Sequence, residues 1–94
     1  MKLIGQDILD GFQKKHPQAR KSLATWASIL RAIDFVHHAE LKRTFRTADF
    51  SAPDTIFDIS GNKYRIIAQM DYVNKIVRVK EVMTHAEYDR WSRL

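Results

Sequence analysis

The sequence predicts an α+β fold in which N-terminal helices cover one face of an antiparallel β-sheet and a short helix closes the chain. Three observations carry this. Leu23, Trp26, Ala27, Leu30 and Ile33 recur at helical spacing. From Thr55 the pattern changes to strand alternation, in the runs TIFDIS and KYRIIAQMDY on either side of Gly61-Asn62. Thr84-His85-Ala86-Glu87 then has the form of a capping box, which starts a last helix.

The elements follow in order. Lys2 to Gly5 is short and apolar, and Asp7 is placed to cap a first helix that buries Ile8, Leu9 and Phe12. Lys14, Lys15 and His16 suit that helix's C-terminal dipole, and Pro17 ends it or opens the next. The stripe from Leu23 to Ile33 is read as core, with Arg20, Lys21, Ser28 and Arg31 mostly on other faces. Between Asp34 and Asp54 a loop of that length would be unusual, so a short amphipathic turn is expected at Ala39 to Phe45. Leu41 and Phe45 would face inward, and Lys42, Arg43 and Arg46 would face solvent or a ligand. Ser51-Ala52-Pro53-Asp54 closes this part as a Pro turn.

A two-residue turn at Gly61-Asn62 sets Ile59 opposite Tyr64, Asp58 opposite Arg65 and Phe57 opposite Ile66. A four-residue loop at Tyr72 to Lys75 sets Gln69 opposite Arg78, Ile67 opposite Lys80 and Arg65 opposite Val82. One face then gathers Phe57, Ile59, Tyr64, Ile66, Ala68, Met70, Val77 and Val79 for the helices to cover. The other gathers Asp58, Lys63, Arg65, Arg78 and Lys80. Rigid strands hold such charges without further ordering cost, which makes that face a groove for a phosphate backbone. The same cations also serve solubility and discourage edge pairing.

Composition bounds the class. The chain has 94 residues, a net charge of +5 and no cysteine. One domain over residues 1–94 is expected, with acidic partners favoured and disulfide or thiolate chemistry excluded. MKLIGQDILDGF lacks the unbroken apolar run of a signal peptide, and no stretch reaches the about 18 apolar residues of a membrane span. Cytoplasm is the expected location. His37 and His38 are adjacent and so diverge, and without His-x-x-x-His spacing no metal site is expected.

His85 falls at a helix N-terminus, where the dipole favours the neutral imidazole as base or acceptor, and Tyr88 lies one turn later on the same side. An imidazole and a phenol near Arg65 and Lys80 suit proton transfer during phosphodiester cleavage. From the residues alone, a lone His and Tyr serve packing or capping more often than catalysis.

The chain resembles the HigB-type toxins of bacterial type II toxin–antitoxin modules, members of the wider RelE-like group. Leu41-Lys42 with Phe45, Asp49-Phe50, Ile56 to Ile59, Gly61-Asn62-Lys63-Tyr64-Arg65 and Glu81 to Asp89 carry the resemblance, in matching order and separation. It implies a RelE-like toxin that enters the ribosome and cuts mRNA by attack of the ribose 2′-OH on the adjacent phosphate, without metal or cofactor. It implies a neighbouring HigA-type helix-turn-helix antitoxin as partner. Residue by residue, it implies that Arg65 and Lys80 stabilise the pentacovalent phosphate, His85 leads as acid or base, and Tyr88 stacks on or orients the substrate. Lys42, Lys63 and Arg78 would hold the RNA backbone. Family members commonly carry Asn where this chain has Asp58, so an acid here would tune or partly neutralise Arg65. The other class of function that these residues allow is a basic module that binds RNA, the ribosome or an antitoxin without cutting.

Overall fold

A computed structural model describes residues 1–92. The elements are β1 (Lys2–Ile4), α1 (Gln6–Lys15), a 3-10 turn (Pro17–Ala19), α2 (Arg20–Ala32), α3 (His38–Thr44), β2 (Asp49–Ser51), β3 (Asp54–Ile59), β4 (Tyr64–Asp71), β5 (Ile76–Thr84) and α4 (His85–Trp91). The five strands form one sheet in the order β1-β5-β4-β3-β2, antiparallel throughout except for β1, which runs parallel to β5. The α+β expectation therefore holds.

Helix α1 starts differently from the reading above. Gly5, at φ 104°, occupies the N-cap, and Asp7 lies in the first turn, where its charge meets the positive end of the helix. A side chain at Gly5 would place its Cβ 2.9 Å from Val79 on β5, so glycine lets α1 lie close against that strand. Pro17 opens the 3-10 turn that feeds α2. In α2, Leu23, Trp26, Ala27 and Leu30 are buried, but Ile33 is its extended C-cap and is 40% exposed, because the helix stops one residue before it. Helix α3 buries Leu41, and Phe45 at its C-cap meets the Phe57 ring edge-on at 5.2 Å.

Tyr64 opposes Ile59, Arg65 opposes Asp58 and Ile66 opposes Phe57, as the hairpin register requires. The turn itself differs. Gly61 and Asn62 stand at its centre, closed by the Lys63 amide donating to the Ser60 carbonyl at 3.4 Å, but the left-handed residues are Ser60 and Gly61, at φ 55° and 67°.

The β4–β5 ladder departs from expectation halfway along. Gln69 opposes Arg78, but a bulge opposite Ile67/Ala68 sets Ile67 against Glu81 and Arg65 against Met83. Lys80 is the extra residue. After it, alternation on β5 is inverted, so Val82 joins the helix-covered side opposite Ile66 and Met83 turns to the other face. Two strands went unread. Both β1 and β2 are only three residues long, too short to show alternation, and β2 ends where the Pro turn begins.

Two apolar clusters result. The larger lies between the helices and the sheet, around Leu9, Leu23, Trp26, Leu30, Phe57 and Ile66. The smaller sits on the opposite face, where Ile56, Ile67 and Met83 are covered by Tyr88 and Trp91 of α4. That face is thus partly roofed by a helix.

Candidate active site

Lys63, Arg65, His85 and Tyr88 meet at one end of the sheet, where the β3–β4 turn touches the start of α4. The joint is covalently local and hydrogen-bonded. Tyr64 opposes Thr84, and the His85 amide donates to the Lys63 carbonyl at 2.9 Å. The capping box forms as the sequence predicts: Thr84 Oγ accepts from the Glu87 amide at 3.2 Å, and Glu87 Oε1 accepts from the Thr84 amide at 3.0 Å. The Thr84 amide, aided by the Thr84 side chain, holds the Glu87 carboxyl below its usual range, and nearby His16 and Arg90 act in the same direction.

Arg65 is the best-held side chain here, only 7% exposed. Its Nε lies 3.0 Å from Asp58 Oδ1, and Nη2 donates to Asn62 Oδ1 at 2.6 Å. Nη1 donates to the Tyr64 carbonyl at 3.1 Å and the Asn62 carbonyl at 3.3 Å. The Tyr88 ring covers the guanidinium at 5.5 Å from its centroid. Most of the arginine's donors are therefore taken by protein, and its charge is partly balanced by Asp58 before any ligand arrives. His85 is more open, its side chain 41% exposed, with Nδ1 3.2 Å from Asp89 Oδ2. That approach lacks hydrogen-bond alignment, and Nδ1 itself is shielded from solvent without a partner.

Lys80 lies on the same face but toward the other end. Its Nζ pairs with Asp54 Oδ1 at 2.8 Å, and Ile67 with its apolar cluster lies between it and Arg65. Arg78 is exposed beside Gln69, farther along β5. The face is consequently mixed in charge and interrupted by apolar side chains, where a continuous cationic strip was expected. A groove of about 530 Å³ runs from Lys80 past Met83 to Glu87, Arg90 and Trp91. Lys42 is exposed on α3, whose Leu41 and Phe45 enter the helix-side core, so it stands apart from the Arg65 cluster.

Reasoning from sequence missed Asn62 and Asp54 as the partners of Arg65 and Lys80. The hairpin register carried a signal for Asp54, which alternation puts on the same face as Asp58. Asn62 was read only as a turn residue. The adjacent histidines have local roles: His37 Nδ1 accepts from the Glu40 amide at 3.1 Å, and the His38 ring lies 5.9 Å from that of Phe50. Among the described residues, no group of three or more His, Asp or Glu is placed to hold a metal ion, and no helix is long and apolar enough to cross a membrane.

Comparison with known proteins adds a family. Residues 19–91 match the model of HigB_toxin, the RelE-like toxic component of a toxin-antitoxin system. The chain is similar to the mRNA interferase HigB of Escherichia coli O6:H1, with 28% identity over 99% of this chain and 93% of the relative. It is also similar to the mRNA interferase toxin HigB of Escherichia coli K12 and to the mRNA interferase HigB of Shigella flexneri. Each is 32% identical, over 95% of this chain and 88% of the relative.

Proposed function

Because the chain belongs to the HigB toxin family of RelE-like toxic components, we propose that it is an mRNA endoribonuclease whose centre is the junction of the β3–β4 turn with α4. The observation that carries this reading is the Arg65 guanidinium lying over the Tyr88 ring, 5.5 Å from its centroid, at the foot of the helix that His85 begins. A cation, an aromatic ring and a partly open imidazole then share one small site.

In the reaction, His85 takes the proton of a ribose 2′-OH as that oxygen attacks the adjacent phosphorus. The P–O5′ bond breaks, the 5′ oxygen takes a proton from water, the resulting hydroxide recovers the proton held by His85, and the products are a 2′,3′-cyclic phosphate and a 5′-hydroxyl end. Arg65 stabilises the charge gathering on the phosphoryl oxygens, and Tyr88 stacks on or orients a neighbouring base. Lys63 is next to this centre, while Lys80 and Arg78 guide the RNA backbone along the face; Lys42, apart on α3, contacts only RNA that extends beyond that face. The route draws on no metal or cofactor.

The occupied donors of Arg65 give the ribosome a role. Substrate presented there has to compete with Asp58 and Asn62 for the guanidinium, so RNA held in a fixed pose on the ribosome is cut and free RNA is not. The protein acts in the cytoplasm, neutralised by a HigA-type helix-turn-helix antitoxin. The Asp58 pair also favours a second reading, a weakened toxin that still binds its antitoxin but cuts poorly.

The test is induced expression of wild type, His85→Ala and Tyr88→Phe, with growth followed, mRNA 5′ ends mapped and folding checked by circular dichroism. New ends inside translated codons, lost in folded His85→Ala, support the assignment. Arrest without new ends, or cutting indifferent to His85, overturns it.

A further inference from the structure

The outer edge of β3 is open beyond β2, which covers only Asp54 to Ile56. Which backbone groups face that edge follows from the ladder. Because the His85 amide donates to the Lys63 carbonyl, Tyr64 and Thr84 form a non-hydrogen-bonded pair. Tyr64 therefore turns its own N–H and C=O to β3, where it meets Ile59. The pleat then points the N–H and C=O of Asp58 the other way, outward. Among the described residues no backbone group bonds them.

A groove of about 340 Å³ lies along this edge, between Lys21, Ser22, Trp26 and Ile29 of α2 and Phe45 with Ile59. A second hollow, of about 320 Å³, shares Phe45 and Asp58 with it and reaches Arg46. The floor is largely apolar, and the two cations stand at either end. Among the described residues neither Lys21 nor Arg46 takes part in an ion pair.

We propose that this edge receives an extended acidic segment of the antitoxin, which adds a short strand to β3 at Asp58. Its apolar side chains would enter the groove, and its carboxylates would meet Lys21 and Arg46. A strand satisfies free amides and carbonyls in register, which a nucleic acid backbone with no N–H donors does not. Charge complementarity selects an acidic segment over a basic one. The proposal rests on the family reading in one respect, that an antitoxin exists. Its consequence for that reading is specific: the Asp58 carboxylate holds Arg65 on one face while the Asp58 backbone holds the antitoxin at the edge. Docking then locks the Arg65 pair from behind and silences the centre without covering it.

Amide hydrogen exchange tests this on the wild-type toxin, free and in complex with the product of its neighbouring antitoxin gene. The Asp58 amide is expected to exchange at least tenfold more slowly in the complex. Lys21→Glu combined with Arg46→Glu is expected to weaken antitoxin binding at least tenfold, with the circular dichroism of the free toxin unchanged. Protection confined to other edges, unchanged affinity in the folded double variant, or protection of Asp58 by an RNA oligonucleotide and not by antitoxin would each overturn the proposal. Protection of Asp58 by antitoxin in a toxin that cuts no mRNA would leave the docking site standing and remove the cleavage reading instead.

Discussion

Thr84→Ala isolates what anchors α4, the helix that carries His85 and Tyr88. The substitution deletes the hydroxyl that accepts from the Glu87 amide at 3.2 Å and leaves the reciprocal bond from the Thr84 amide to Glu87 in place. Loss of a threonine N-cap costs about 1 kcal/mol. A helix of seven residues does not hold itself in water, so α4 depends on that cap and on Tyr88 and Trp91 against Ile56, Ile67 and Met83. If those contacts tie α4 to the sheet, its loss is felt globally. For a domain of this size 1 kcal/mol lowers Tm by about 4–8 °C. Thermal unfolding followed by circular dichroism measures this, and tryptophan fluorescence reports whether Trp91 has left its apolar seat. Thr84→Ser, which retains the hydroxyl, is expected to recover most of the loss. An unchanged Tm in Thr84→Ala, with unchanged fluorescence, would refute the view that the cap secures the site.

Asp58→Asn keeps a hydrogen-bonding group beside Arg65 but removes the opposing charge, and severalfold faster mRNA cleavage is expected; equal or slower cutting would show that the pair does not restrain the arginine. Gly5→Ala forces a left-handed alanine whose Cβ lies 2.9 Å from Val79, and a loss of more than about 1 kcal/mol should appear in denaturant unfolding. Gly11→Ala, inside α1 with nothing within 4 Å of the added carbon, should instead gain about 0.5–1 kcal/mol in the same assay. Glu87 has its folded pKa held below the ordinary 4.5, so its stabilisation is complete above that value and is lost as pH falls through the lowered one. The Tm difference between wild type and Glu87→Gln should therefore be constant near neutrality and close in acid. A gap that widened in acid would contradict the sign.

Much of the sheet was legible because two alternating runs flank a turn: once Ile59 meets Tyr64, every pairing back to Thr55 with Ala68 follows. The bulge was not. Val82 and Met83 are adjacent and both apolar, so either fits the inward position, and alternation alone does not reveal that the strand has taken in an extra residue. The pairing of Arg65 with Asp58 could be read from register, yet the arginine's burial could not, since it depends on Asn62 in the turn and on Tyr88 folding back from another element. Trp91 lies three residues beyond Tyr88, a spacing that marks one helical face. With the expected apolar face of the sheet already assigned to the helices, that second stripe had no visible partner.

The extra residue in β5 also bears on how this gene tolerates change. Replacing Lys80 with a neutral residue strips the buried Asp54 carboxylate of its ion-pair partner but leaves the register of the strand as it is. Deleting its codon is a different event. Without the extra residue the strand alternates strictly, and Val79, Glu81, Val82 and Met83 still meet Ala68, Ile67, Ile66 and Arg65, so Met83 keeps its seat beneath Tyr88 and Trp91 and only the local twist of the bulge is lost. The change that would turn Val82 outward and Met83 inward is one residue inserted after Glu81, and an insertion scan should mark that point more sharply than a deletion at Lys80 does.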